Sequence, residues 1–234
     1  RVGGDAATRL GGMEYKTIHA LSLKGIERLA MEAAGGEYAG AARRALTEAG
    51  MGEIWKQLDP KTGHSLAKAV VDETDLHLMI ERQESMQAIL TDPRTGQRHS
   101  DPSVMKMLDR YGLAHQAMIQ EGLGVGDLDS ERALEIMREK DVVPTAFKPM
   151  FESVEGELAG RGKFTFGHML RAAQTIGTHH PEFLETMWRD NTKAIMMDEF
   201  NQFSGTQFDV VNMFAKANKV DYMLAGGDPL QSAM

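Results

Sequence analysis

The chain contains no cysteine. That excludes a disulfide framework, thiolate-bound zinc, iron–sulfur clusters and cysteine nucleophiles. It also leaves the redox compartment open. Aromatic residues reach only 6%, and there are just 7 prolines. No apolar run approaches the roughly 20 residues that span a bilayer, so no membrane span is expected. Residues 1–12 (RVGGDAATRLGG) carry four glycines and no apolar h-region, and they read as an arm or linker rather than a signal peptide. A soluble protein is expected. An excess of positive charge is missing too: 26 Lys and Arg face 34 Asp and Glu, for a formal net charge of −8. Nucleic acid is therefore not indicated by net charge, although a local basic patch remains compatible with it.

What remains is 234 residues of ordinary globular composition, 42% hydrophobic and 26% charged, with 17 Met and 24 Gly as its excess. This length suits one large domain or two small ones. The pattern divides into an arm (1–15), a region of helices and hairpins (16–120), and an acidic loop followed by helices (121–234). A single domain is the alternative.

Residues 16–50 show a helical stripe through Leu21, Leu23, Ile26, Leu29 and Ala30, with Ser22 as N-cap and Gly35-Gly36 as a stop. A second helix runs from Glu37 to Ala49. The segments DPKTG (59–63) and DPRTG (92–96) are near copies, each suited to a type I turn closing on a left-handed glycine. Leu76, Leu78 and Ile80 alternate with His77, Met79 and Glu81, which predicts strands flanking these turns. The competing reading makes Asp75–Leu90 one helix capped by Thr74. Beyond Asp101-Pro102 the helical pattern returns, and Gly112 interrupts it. Asp129 or Ser130 caps the next helix, Pro144 and Pro149 end it, and 142–151 reads as a crossing loop. Later helices cover 164–176, from Pro181 past Phe200, and 208–224. The residues DPLQSAM (228–234) show no anchor pattern. The expected fold is mainly α: a multi-helix globular domain with a small β-hairpin insertion near residues 52–100, or α+β if the hairpins form a sheet.

Three clusters could carry chemistry. His64 and His99 follow the two turns, and with Lys68 they offer a general base, a general acid and a cation, the set that metal-independent phosphoryl transfer needs. His179, His180, Glu182 and Glu185 combine imidazole and carboxylate, which suits a divalent transition metal, but without HExxH spacing. Residues 121–160 hold ten acidic and four basic residues, a net of −6. Their glutamates Glu131, Glu135 and Glu139 could meet a basic partner. The segment Asp127–Arg138 departs from an EF-hand loop at its sixth and twelfth positions. GLGVG (122–126) does not complete GxGxxG, and no Walker lysine motif or GxSxG is present, so no cofactor is expected.

Met residues sit on or beside the helix stripes, as adaptable contact side chains do. The sequence thus leans away from an enzyme. It suggests a structural or assembly protein, such as a virion or secretion-machine component. Such a protein would form homo-oligomers, or bind other protein subunits, through Met/aromatic helix faces and terminal arms. Two alternatives stand beside it: a nuclease or other phosphoryl-transfer enzyme using paired histidines, and an acidic protein-binding module or effector.

Overall fold

The computed structural model describes residues 17–52, 54–58, 66–200 and 203–227. The arm, the first DPKTG turn, His64 and the DPLQSAM tail lie outside the described residues. The fold is mainly α with small β elements. Ten α-helices are present among the described residues, with two two-stranded parallel sheets. No described helix is long and apolar enough to cross a membrane.

Two cores organise the chain. The first is built by α1 (Ile18–Gly35), α2 (Ala39–Glu48), α8 (Phe166–His179), α9 (Leu184–Trp188) and α10 (Gly205–Asn218), with Ile54, Leu66 and Ala69 from the segments between α2 and β1. The second encloses α3 (Glu73–Glu81), α4 (Glu84–Leu90), α5 (Asp101–Gln120), α6 (Glu131–Glu139) and α7 (Pro144–Gly160). The chain leaves the first core through β1 (Val70–Val71) and returns through β2 (Phe164–Thr165). These two strands pair in parallel, Val70 with Phe164 and Val71 with Thr165, and close the neck of the inserted unit. Helix α5 also packs on α8 across the seam. A second parallel pair joins β3 (Ala194–Met197) to β4 (Tyr222–Ala225).

Side-chain caps set several helix starts. Thr17 caps α1, its hydroxyl accepting from Ala20 N–H at 3.1 Å. Ser22, the expected cap, instead lies buried inside α1 and donates to the Ile18 carbonyl. Ser130 caps α6 by accepting from Ala133 N–H.

Several local expectations are corrected. Residues 73–90 form α3 and α4 rather than strands. Leu76, Met79, Ile80, Met86 and Leu90 bury one face, and Asp72, not Thr74, caps α3. Among the described residues of this region, strand pairing is limited to Val70–Val71 and a single antiparallel bridge, Thr91 with Arg98. That bridge brackets the DPRTG turn, where Gly96 takes φ +64° and donates to the Asp92 carbonyl. Helix α5 continues through Gly112, and α8 through Gly177, because each glycine admits a side chain from a neighbouring helix. Residues 144–160 are helical. Pro144 opens α7 where its missing N–H costs nothing. Pro149 sits inside α7, and the buried face of Phe147, Met150, Phe151, Val154 and Leu158 outweighs the lost bond. The helix expected past Phe200 stops at Trp188, so Ile195 and Met196 belong to β3. Met223, expected on a helix, belongs to β4.

Candidate functional site

Ile54 anchors a single 3-10 turn, Ile54–Gln57, in the first core. The next residue, Trp55, is therefore held half-buried at the rim, its indole backed by that core. Arg43 of α2 lies over the Trp55 ring, 4.2 Å from its centroid, and Lys56 stands 5.6 Å away. Arg43 is not free to wander, since its Nε donates to the Ala33 carbonyl at 2.8 Å. Gln57 Nε2 donates to the Gly162 carbonyl at 2.8 Å and ties this turn to the end of α7. Gly162 has φ +60°, and a Cβ there would stand 2.3 Å from Gln57 Nε2. Beside it, Lys163 Nζ donates to the Lys68 carbonyl. Arg43 and Lys56 thus flank one aromatic ring, and Lys163 follows the Gly162 to which Gln57 of the same turn is bonded. Such a surface combines phosphate attraction with a stacking platform.

A second constellation lies at the seam between the cores. Glu155 of α7 bridges two imidazoles, with Oε1 2.7 Å from Nε2 of His115 on α5 and Oε2 3.0 Å from Nε2 of His168 on α8. Thr165 N–H donates to His168 Nδ1 at 3.2 Å, so Nε2 of that ring carries the proton that Glu155 accepts. Burial opposes ionisation of Glu155, but hydrogen bonds from His115 and His168 hold its carboxyl at about 2. His115 is fully buried against Phe151. Burial pushes its imidazole below the ordinary value, and its Nδ1 has no hydrogen-bond partner among the described residues. This cluster ties the inserted unit to the first core at the point where β2 enters α8.

The residues singled out from sequence are dispersed. Lys68 is exposed beside Lys163. His99 follows the Thr91–Arg98 bridge, and its N–H donates to the Leu90 carbonyl. No hydrogen bond joins Lys68 to His99, and their companion His64 lies outside the described residues. His180 faces Glu48 with Nε2 at 2.7 Å and Glu182 with Nδ1 at 3.4 Å, on opposite sides of the ring. His179 is exposed, and Glu185 pairs with Arg189 at 3.0 Å. The four are not drawn to one point. Glu135 and Glu139 are answered by Arg132, at 2.7 and 3.8 Å, and Arg132 also holds Glu121 at 2.9 Å. Glu131 stays in the exposed first turn of α6. Arg132, Glu121 and Glu139 line a polar cleft of about 430 Å³ together with Arg171 and Asp209.

Sequence reasoning missed Trp55, His115, Glu155 and His168. Trp55-Lys56 after an isoleucine anchor was the one local signal available for the surface. His115 and His168 gave none, since an isolated histidine in a helix pattern has no distinguishing mark.

Residues 1–233 match the family model of the UvrD/REP helicase N-terminal domain. No curated protein and no solved structure gives a significant match. The family match overturns the expectation of a non-enzymatic structural or assembly protein, virion component or secretion-machine part, and with it the leaning against an enzyme. Missing motifs were weak evidence, because functional groups converge in space rather than along the chain. The expectation that nucleic acid is not indicated is corrected as well. Net charge is a sum over the whole surface, and the cations around Trp55 form a local field that the sum conceals.

A helicase family implies a nucleotide and its divalent cation. Among the described residues, the glycine-rich candidate does not fit one. The glycine-rich stretch 122–126 follows helix α5 rather than a strand, and its Gly124 N–H is already taken by Asp127 Oδ2 at 2.9 Å. Phosphate there would face Glu121, Asp127 and Asp129, and no Walker lysine stands in the sequence.

Proposed function

This chain belongs to the UvrD/REP helicase N-terminal domain family, and from that premise we propose that it serves DNA strand separation by holding single-stranded DNA on the surface around Trp55. The observation that carries this reading is the Trp55 ring, half-buried and flanked by Arg43 and Lys56. Lys163, next to the Gly162 that Gln57 holds, and Lys68, whose carbonyl Lys163 binds, are read as the next cations for the same strand. Phosphates follow the cations, and a base stacks on the indole or on the guanidinium plane above it. Each stacked base contributes about 1–3 kcal/mol. Readout of this kind tolerates any sequence, as an enzyme that moves along DNA requires. Nucleotide hydrolysis is assigned to no residue of this chain.

Tryptophan fluorescence tests the reading directly. Of the two tryptophans, Trp188 is 1% exposed and Trp55 is half-buried. Adding oligo(dT) at low salt should quench the emission, and Trp55→Phe should abolish the quench. Absence of single-strand binding at low salt would overturn the reading. So would binding that survives Lys56→Glu with Lys163→Glu unchanged.

A further inference from the structure

We propose that Glu73, His77 and Asp109 form a binding site for a divalent transition-metal ion of the Zn²⁺ or Mn²⁺ kind, clamping α3 to α5. Glu73 and His77 stand four residues apart on α3 and so share one face. Asp109 comes from α5, packed alongside. One ligand atom from each of the three lies within 4.8 Å of the other two.

The imidazole is the decisive element. His77 is only 8% exposed, yet it makes no hydrogen bond among the described residues. Its Nε2 points towards Asp109 Oδ1 at 3.7 Å, beyond hydrogen-bonding range. The ring lies on a part of α5 kept bare by Gly112, where a Cβ would stand 3.0 Å from Nε2. The ring is held by packing with Nε2 turned to the Asp109 carboxylate, and a metal ion between them would take the imidazole lone pair and the carboxylate oxygen together. Ligand bonds of about 2.0–2.2 Å place tetrahedral donor atoms about 3.3 Å apart. Glu73 is exposed and Asp109 partly so, and rotation of their side chains closes the remaining distance. One imidazole with two carboxylates suits Zn²⁺ or Mn²⁺ and disfavours Mg²⁺ and Ca²⁺, which take all-oxygen shells. Three protein ligands leave at least one position for water.

Calorimetric titration of the whole chain with Zn²⁺, Mn²⁺ and Mg²⁺ tests the site. One Zn²⁺ per chain is expected, together with movement of the His77 Nε2 resonance in a nitrogen-15 spectrum. Glu73→Gln with Asp109→Asn alters carboxylates that are exposed or partly so, which keeps the fold, and should weaken Zn²⁺ by about 100-fold. His180→Gln, at the other histidine flanked by two carboxylates, should leave binding unchanged. Zn²⁺ affinity untouched by the double variant, or lost in His180→Gln, would overturn the proposal, as would an unmoved His77 resonance.

Discussion

Gly25 of α1 lies directly beneath the indole of Trp188 on α9: a Cβ on Gly25 would stand 2.4 Å from Trp188 Nε1. The same Nε1 donates to the Leu21 carbonyl at 3.1 Å, one turn earlier on α1. The glycine and the hydrogen bond together fix how closely the two helices meet. Gly25→Ala should therefore destabilise the chain by about 1–3 kcal/mol, although alanine is the better helix former. Thermal unfolding of the variant measures this, and a stabilised Gly25→Ala would refute the close approach.

Asn218 closes the far end of the same core. Its Nδ2 donates to the carbonyls of Trp188 and Phe214, at 2.9 and 3.0 Å, and its Oδ1 accepts from Asp190 N–H at 2.7 Å. Asn218→Leu fills similar space but removes the side-chain partners of the Trp188 carbonyl and the Asp190 N–H, whereas the Phe214 carbonyl keeps its helical bond. A loss of about 1–3 kcal/mol for each group left unsatisfied sets the scale. Hydrogen exchange should accelerate first at the Asp190 amide and in the segment leading to β3.

Acid should loosen the seam between the cores. The folded chain refuses a proton at His115 that the unfolded chain accepts, so stability declines as pH drops below about 6.5. Glu155 acts in the same direction at lower pH. Its folded value of about 2 lies below the ordinary 4.5, so its contribution is complete above about 4.5 and is lost on the way down to about 2. That shift corresponds to a few kcal/mol in order of magnitude. A series of melting temperatures against pH should show both limbs. Glu155→Gln should erase the lower one, and a profile identical to wild type would refute the assignment.

Binding of single-stranded DNA should depend steeply on salt. Four cations on phosphates release counterions with a slope of about −3 in log affinity against log salt. Lys56→Ala and Lys163→Ala should each flatten that slope by about 0.7. Trp55→Ala should instead lower affinity by about 1–3 kcal/mol with the slope retained, since stacking carries no counterions. Filter binding across a salt series separates the two effects. A slope unchanged in both lysine variants would move the interface elsewhere.

Much of the helical plan is legible where a single residue type sets the local geometry. Ser130 must cap a helix that presents Ala133, Ile136 and Met137, and the DPRTG turn closes on Gly96 wherever its flanks go. Legibility fails where neighbours decide. Leu76-His77-Leu78 alternates like a strand, yet its burial follows the helical period because Leu76, Met79 and Ile80 face the same core. Ile195 and Met196 continue an apolar run in sequence, but they pair with Met223 and Leu224 in a parallel ladder. Nothing near Ile195 announces a partner 28 residues away.

Functional residues divide along the same line. Composition determines that thiolate chemistry is impossible, that the nucleotide-phosphate lysine motif is missing, and that helices dominate. Each follows from a residue's own chemistry or from a short spacing. Only the tertiary structure decides that Arg43 lies over Trp55, that Lys163 reaches the Lys68 carbonyl, that Glu155 bridges His115 and His168, and that His77 meets Asp109. Those groupings depend on a chain that leaves one core at Val71 and re-enters it at Phe164. Charge, burial and lone-pair geometry act through space over a few ångströms, and sequence separation carries no record of them.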